Sequence, residues 1–96
     1  MDRVFEHGGT SFCWDESKAA ENHRKHGVSF EEAVTVFDDP LLVLQDASRN
    51  EEQRDAVIGF SSAGRLLTVV LADALKRRGV TEKVLQEAMK EIAENS

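Results

Sequence analysis

The sequence predicts an α+β fold, a small antiparallel sheet with helices packed on one face, because the spacing of its apolar residues changes partway along the chain. From Phe30 to Phe37 they recur at helical intervals, behind helix-capping signals at Asp15, Gly27 and Ser29. From Leu41 to Ala72 they gather in short runs rich in β-branched residues, parted by polar loops. With 96 residues there is room for one ordinary domain, assigned to 10–96. The 41% of hydrophobic residues can supply its core.

Taken in order, residues 1–9 read as a flexible leader, since Gly8 and Gly9 interrupt any regular pattern. Thr10 to Trp14 alternates and reads as a short strand. Asp15 is a helix N-cap candidate with Glu16 behind it, and the helix runs to about His26, where Gly27 suits a left-handed C-terminal cap. Ser29 opens a second helix. With Glu32 it forms a capping box, and Phe30, Ala33, Val34 and Phe37 make the apolar face. Asp38-Asp39-Pro40 stops that helix. Three strands follow, around Leu41–Leu44, Arg54–Phe60 and Arg65–Ala72, the last two joined by Ser61-Ser62-Ala63-Gly64 as an antiparallel hairpin. Val84, Leu85, Ala88 and Met89, with Val80 and Ile92 beyond them, then form an amphipathic stripe that predicts a closing helix from Thr81. The expected order is β-α-α-β-β-β-α, with Trp14, Phe30, Val34, Phe37, Val57, Ile58, Leu67 and Val69 in the core.

Composition excludes several classes of function. The net charge of -6 argues against nucleic-acid binding through a general basic surface, and only 46–79 is locally basic. No apolar run approaches the length of a membrane span. The lone Cys13 cannot form an internal disulfide and no secretory signal is evident, so a reducing cytoplasm is the expected location. No Gly-rich phosphate loop and no Gly-x-Ser-x-Gly elbow is present, which leaves Ser61 and Ser62 as turn residues. His23 and His26 stand one helical step apart but lack a third ligand at a recognisable spacing, so neither a metal nor a cofactor is expected.

Four cations remain as candidate catalytic residues. Lys25 and His26 close the first helix, where Lys25 can bind phosphate and His26 can exchange protons near neutral pH. Both also suit plain capping of the helix C-terminus. Arg54 and Arg65 begin neighbouring strands, which places them toward opposite ends of an antiparallel pair, and each is equally readable as a solvated strand-edge arginine.

The segments Phe12-Cys13-Trp14-Asp15-Glu16-Ser17-Lys18-Ala19, Asn22-His23-Arg24-Lys25-His26-Gly27-Val28-Ser29-Phe30-Glu31-Glu32-Ala33 and Val36-Phe37-Asp38-Asp39-Pro40 resemble the opening of the BrnT-type toxin family. Arg54-x-x-x-Ile58-Gly59, Ser61-Ser62-x-Gly64-Arg65-Leu66-Leu67 and Val69-Val70 extend the resemblance to about Leu71. It implies a fold like that of RelE ribonucleases, metal-independent RNA cleavage that blocks translation, and a protein antitoxin as partner. Such chemistry needs a base for the 2′-OH proton and cations beside the phosphate, roles that fall to Lys25, His26, Arg54 and Arg65. Past Leu71 the family continues with a strand ending in a Ser-Ala-Arg-like block and a helix carrying Arg, Glu and Tyr. Here Asp73-Ala74-Leu75-Lys76-Arg77-Arg78-Gly79 and an acidic segment replace them. An inactive interaction protein that keeps the toxin fold, and binds an antitoxin or its own copy, is therefore the competing reading. The altered tail carries a second expectation. A missing last strand would leave Leu66–Leu71 as a sheet edge beside an unpartnered amphipathic helix, and a homodimer through that helix would cover both; a helix folded back on its own sheet would leave a monomer.

Overall fold

A computed structural model describes residues 2–48, 50–75 and 81–91, with Leu75 described by its backbone. Six strands form one mixed sheet: β1 (Asp2–His7), β2 (Thr10–Asp15), β3 (Val43–Asp46), β4 (Asp55–Phe60), β5 (Leu66–Leu75) and β6 (Thr81–Lys90), in the spatial order β1-β2-β6-β5-β4-β3. Between β2 and β3 the chain makes two helices, α1 (Glu16–His26) and α2 (Phe30–Val34), and a 3₁₀ turn at Thr35–Asp38. All neighbouring strands are antiparallel except β2 and β6. The α+β class stands. Among the described residues no helix is long and apolar enough to cross a membrane.

The helix signals hold locally. The Asp15 carboxylate accepts from the Ser17 amide at 2.7 Å, and Gly27 takes the left-handed conformation with φ of 69°, its amide donating to the His23 carbonyl. Ser29 caps α2 by accepting from the Glu32 amide at 3.1 Å. The α-helical geometry ends at Val34, and the tighter 3₁₀ turn brings Val36 into line with Ala33 three residues earlier. Val36 is therefore fully buried, while Phe37, expected in the core, is half-buried against the Phe12 ring. Ile58 is also half-buried, on the opposite face of β4 from the buried Val57. The core otherwise contains Trp14, Phe30, Val34, Val57, Leu67 and Val69 as expected, joined by Phe12, Val28, Ala33, Leu71, Leu85 and Ala88.

Both ends of the chain depart from expectation. Asp2–His7, read as part of a flexible leader, is a strand that pairs with β2 from Asp2↔Asp15 to His7↔Thr10. Gly8 and Gly9 have φ of 58° and 81°. Positive φ at both central residues is what a tight hairpin turn requires, so the glycine pair joins two strands instead of interrupting a pattern. The His7 ring lies 2.7 Å from the Asp38 carboxylate and ties this hairpin to the 3₁₀ turn.

The predicted closing helix is β6. It pairs with β5 from Leu67↔Lys90 to Leu75↔Thr81, and with β2 at Phe12↔Lys83 and Cys13↔Val84. Gln86 has no partner in this register, because Val70 faces Glu87 while Leu71 faces Leu85. That bulge sets Leu85 and Ala88, both buried, three residues apart on one face. A strand with one extra residue thus imitates a helical interval. Because β6 is a strand, and β5 lies between β6 and β4, the helix-mediated homodimer loses both its helix and its open β5 edge. Val80 and Ile92 lie outside the described residues.

Where β2 ends and α1 begins, Asn22 takes over the edge of β6. Its side-chain amide accepts from the Ala88 amide at 3.0 Å and donates to the Ala88 carbonyl at 2.8 Å and the Val28 carbonyl at 3.0 Å. The residue is only 5% exposed. Removing it strands buried backbone groups on two elements, so Asn22→Ala is expected to cost about 2–4 kcal/mol in urea unfolding. The Ala88 amide should also exchange its hydrogen faster than those of β4; unchanged stability and protection would contradict this role.

Candidate functional site

The side chains with chemistry gather where α1 runs beside β6. Lys18, Asn22 and His26 are spaced four residues apart and so share one face of α1. The Lys18 ammonium donates to Gln86 at 3.2 Å, Asn22 holds Ala88, and His26 Nε2 lies 3.0 Å from a Glu87 carboxylate oxygen. A cleft of about 150 Å³ is bounded by Lys18, Glu21, Asn22, Lys25, His26, Gln86 and Glu87. Lys25 reaches Glu21 at 3.9 Å on its own helix, and a neighbouring hollow joins Lys25 and His26 to Gly27 and Lys90.

The Glu87 contact decides the form of the imidazole. An ionised carboxylate only accepts, so Nε2 must carry the proton. In the neutral ring Nδ1 then keeps its lone pair, and it has no partner among the described residues. His26 is thus oriented and able to accept a proton at Nδ1. Lys18, Lys25 and Lys90 place positive charge around it.

Arg54 stands next to the start of β4. Its guanidinium is bound to Glu52, and the cavity beside it, about 300 Å³, is lined by Asp46, Ser48, Gln53, Asp55 and Asp73 as well as Arg54. A shallower hollow links Arg54 with Ala72 and Gln86. Since Gln86 also bounds the His26 cleft, Arg54 and His26 occupy adjoining depressions that share one wall.

Arg65 is elsewhere and committed. Its Nε donates to Glu32 at 2.9 Å, one terminal nitrogen also binds the same carboxylate, and that nitrogen donates to the Gly27 carbonyl at 3.0 Å. The Ser61 hydroxyl donates to Glu32 as well, at 2.7 Å. The capping box foreseen at Ser29 is therefore half-formed: Ser29 binds the Glu32 amide, while the Glu32 side chain turns to Arg65 and Ser61. Arg65's hydrogen bonds, followed by burial working the other way and by Ser61, hold the Glu32 carboxyl below its ordinary range. The four predicted residues thus divide: Lys25 and His26 share a cleft, Arg54 adjoins it, and Arg65 is bound into a clamp between α2, Gly27 and the β4–β5 turn.

Sequence reasoning missed Lys18, Gln86, Glu87 and Glu32 as partners. The signal for the first was available as the polar stripe Lys18-Asn22-His26 on one helical face. Glu87 was hidden because its segment reads as a helix with Glu87 outward. Among the described residues no three His, Cys, Asp or Glu side chains gather as a cation site. Cys13 is half-buried on β2.

A family model described as ribonuclease toxin, BrnT, of type II toxin-antitoxin system matches residues 14–82. The match reaches beyond Leu71, where the resemblance read from the sequence ends, into the first residues of β6. No curated protein matches the chain.

The Glu32 clamp sets an acid limit. A carboxyl whose folded-state pKa lies below its unfolded one contributes stability above the unfolded value, 4.5, and loses it as pH falls through the folded value. Glu32→Gln should cost about 1.5–3 kcal/mol at neutral pH, the range for hydrogen bonds to charged groups, and should flatten the loss of stability below that pH. Urea unfolding of both proteins across the acid range measures this; parallel pH profiles would reject the assignment.

Proposed function

The chain belongs to the BrnT family of ribonuclease toxins of type II toxin-antitoxin systems, and from that premise we propose that it cuts RNA without a metal ion, blocking translation until a protein antitoxin binds it. The observation that carries this reading is His26, with Nε2 fixed by Glu87 and Nδ1 left for a substrate proton, in a cleft walled by Lys18 and Lys25.

The steps follow from those atoms. Nδ1 of His26 takes the proton of a ribose 2′-OH, the freed oxygen attacks the adjacent phosphorus, and the bond to the 5′ oxygen breaks. The products are a cyclic 2′,3′-phosphate and a 5′-hydroxyl protonated from water. Glu87 steadies the imidazolium formed, as a carboxylate partner does for any histidine base. Lys18 and Lys25 offset the charge that grows on the phosphate and leaving oxygens. Arg54, across Gln86, holds the next phosphate along the strand. Arg65 is a positioning residue, acting through its hold on the Gly27 carbonyl and so on the end of α1.

The carboxylates around Arg54 and the commitment of Arg65 favour a second reading, a non-enzymatic protein with the toxin fold that works by binding a partner. Induced expression in a bacterial host separates the two. Growth arrest relieved by His26→Ala or Arg54→Ala supports the enzyme, and unaffected growth supports the binding protein. With purified protein, RNA cleavage should persist in EDTA and fall about 10²–10⁴-fold in His26→Ala, the usual worth of a positioned acid-base group. Cleavage abolished by EDTA, or indifferent to His26, would refute the mechanism.

A further inference from the structure

The opposite end of the sheet has a feature that RNA cleavage does not use. β3 is an edge strand, and all four of its residues are exposed. The Ala47 amide donates inward to the Arg54 carbonyl, so by alternation the amides and carbonyls of Leu44 and Asp46 point outward, where no strand among the described residues pairs with them. Val43 lies across from Ile58, and Phe60, two residues on, lies across from Leu66. These four form an apolar corner on the sheet face away from α2, with Val43 51% and Phe60 55% exposed. Unpaired backbone beside exposed apolar side chains is what an added strand requires.

Charge selects the occupant. Asp46 and Asp55 face each other directly across β3 and β4, a like-charge pairing that costs stability, and they line the cavity of about 300 Å³. Arg54 is turned to Glu52 and Asp73 is bound by Lys83, so among the described residues no cation pairs with Asp46 or Asp55. A second copy of this chain, at net charge -6, would bring more negative charge to the same place. A nucleic-acid strand laid along β3 itself would set its phosphates against the same two carboxylates.

We propose that the β3 edge docks an extended, basic segment of a partner polypeptide as a seventh strand, apolar residues on the Val43–Phe60 corner and a Lys or Arg beside Asp46 and Asp55. The proposal deepens the toxin-antitoxin reading and rests on it for the identity of that partner as the antitoxin. Docking there would also bring the partner against Arg54.

The test uses the whole chain and a synthetic peptide of alternating Val and Lys, with an alternating Val and Glu peptide as control. Fluorescence anisotropy should show the basic peptide binding at least about tenfold tighter than the acidic one, and more weakly as salt rises. Leu44→Pro removes only an outward amide, which an edge strand tolerates, and should weaken binding about tenfold or more; Asp46→Asn should weaken it too. Protection of the Leu44 and Asp46 amides from hydrogen exchange should appear with the peptide. The proposal is overturned if both peptides bind alike, if neither binds at about 1 mM, the weak end of specific affinity, or if the free protein sediments as a dimer that Leu44→Pro dissociates. Leu44→Pro should keep its urea midpoint and its RNA cleavage. Loss of peptide binding with cleavage intact, or the reverse, tells failure of this proposal from failure of the ribonuclease reading.

Discussion

The arrangement of the whole molecule turns on Asn22 standing in for a strand. β2 leaves the sheet at Asp15 to become α1, so its neighbour β6 loses its partner after Val84. Backbone groups buried without partners cost as much as a broken hydrogen bond or more. Asn22 answers with a donor and an acceptor on one planar amide, matching the Ala88 carbonyl and amide, and its second N–H holds the α1–α2 turn at Val28. A helix can then lie against a sheet edge that would otherwise need another strand. Placing Asn22 on Ala88 also places its helical neighbours, and Lys18 meets Gln86 and His26 meets Glu87 for that reason.

A second tie, of opposite character, holds the other end of α1. Arg65 and Glu32 join charges that lie 33 residues apart in sequence, and Arg65 spends a further hydrogen bond on the Gly27 carbonyl. Asn22 is neutral and buried; Glu32 is ionised and only partly shielded, with Arg65 about a third exposed. Between them they fix the short span from Asn22 to Glu32, which carries Lys25 and His26. The candidate cleft thus sits on a segment anchored at both ends, by one contact indifferent to pH and one that fails in acid.

Local signals were legible and long-range pairing was not. Asp15, Gly27 and Ser29 each act within a few residues, and each does what its type and position indicate. Val36 displaced Phe37 from the core because three-residue and four-residue turns cannot be told apart over so short a helix. Thr81–Lys90 is rich in Glu, Lys, Gln, Ala and Met, all comfortable in helices, yet the ten-residue β5 offers it a full ladder and the tertiary demand prevails. The bulge at Gln86 compounded the error by giving the strand a helix-like interval. For the site, Lys25 and His26 were visible as cations at a helix end, but Glu87, the partner that orients His26, comes from β6, 61 positions away. Arg65 looked like a strand-edge cation because nothing in sequence joins it to Glu32.

The parallel contact between β2 and β6 has a consequence for the order of synthesis. β1, β2 and α1 emerge first, and their only strand partner in the rest of the sheet is the last strand described, some seventy residues later. Contacts this distant in sequence form late, since the intervening chain must be closed before they return any energy. While β6 is still inside the ribosome, Asn22 faces no Ala88 and His26 no Glu87. The α1 wall of the cleft thus stands on the nascent chain before its opposite wall, Gln86 and Glu87, which closes it only after β6 has left the ribosome.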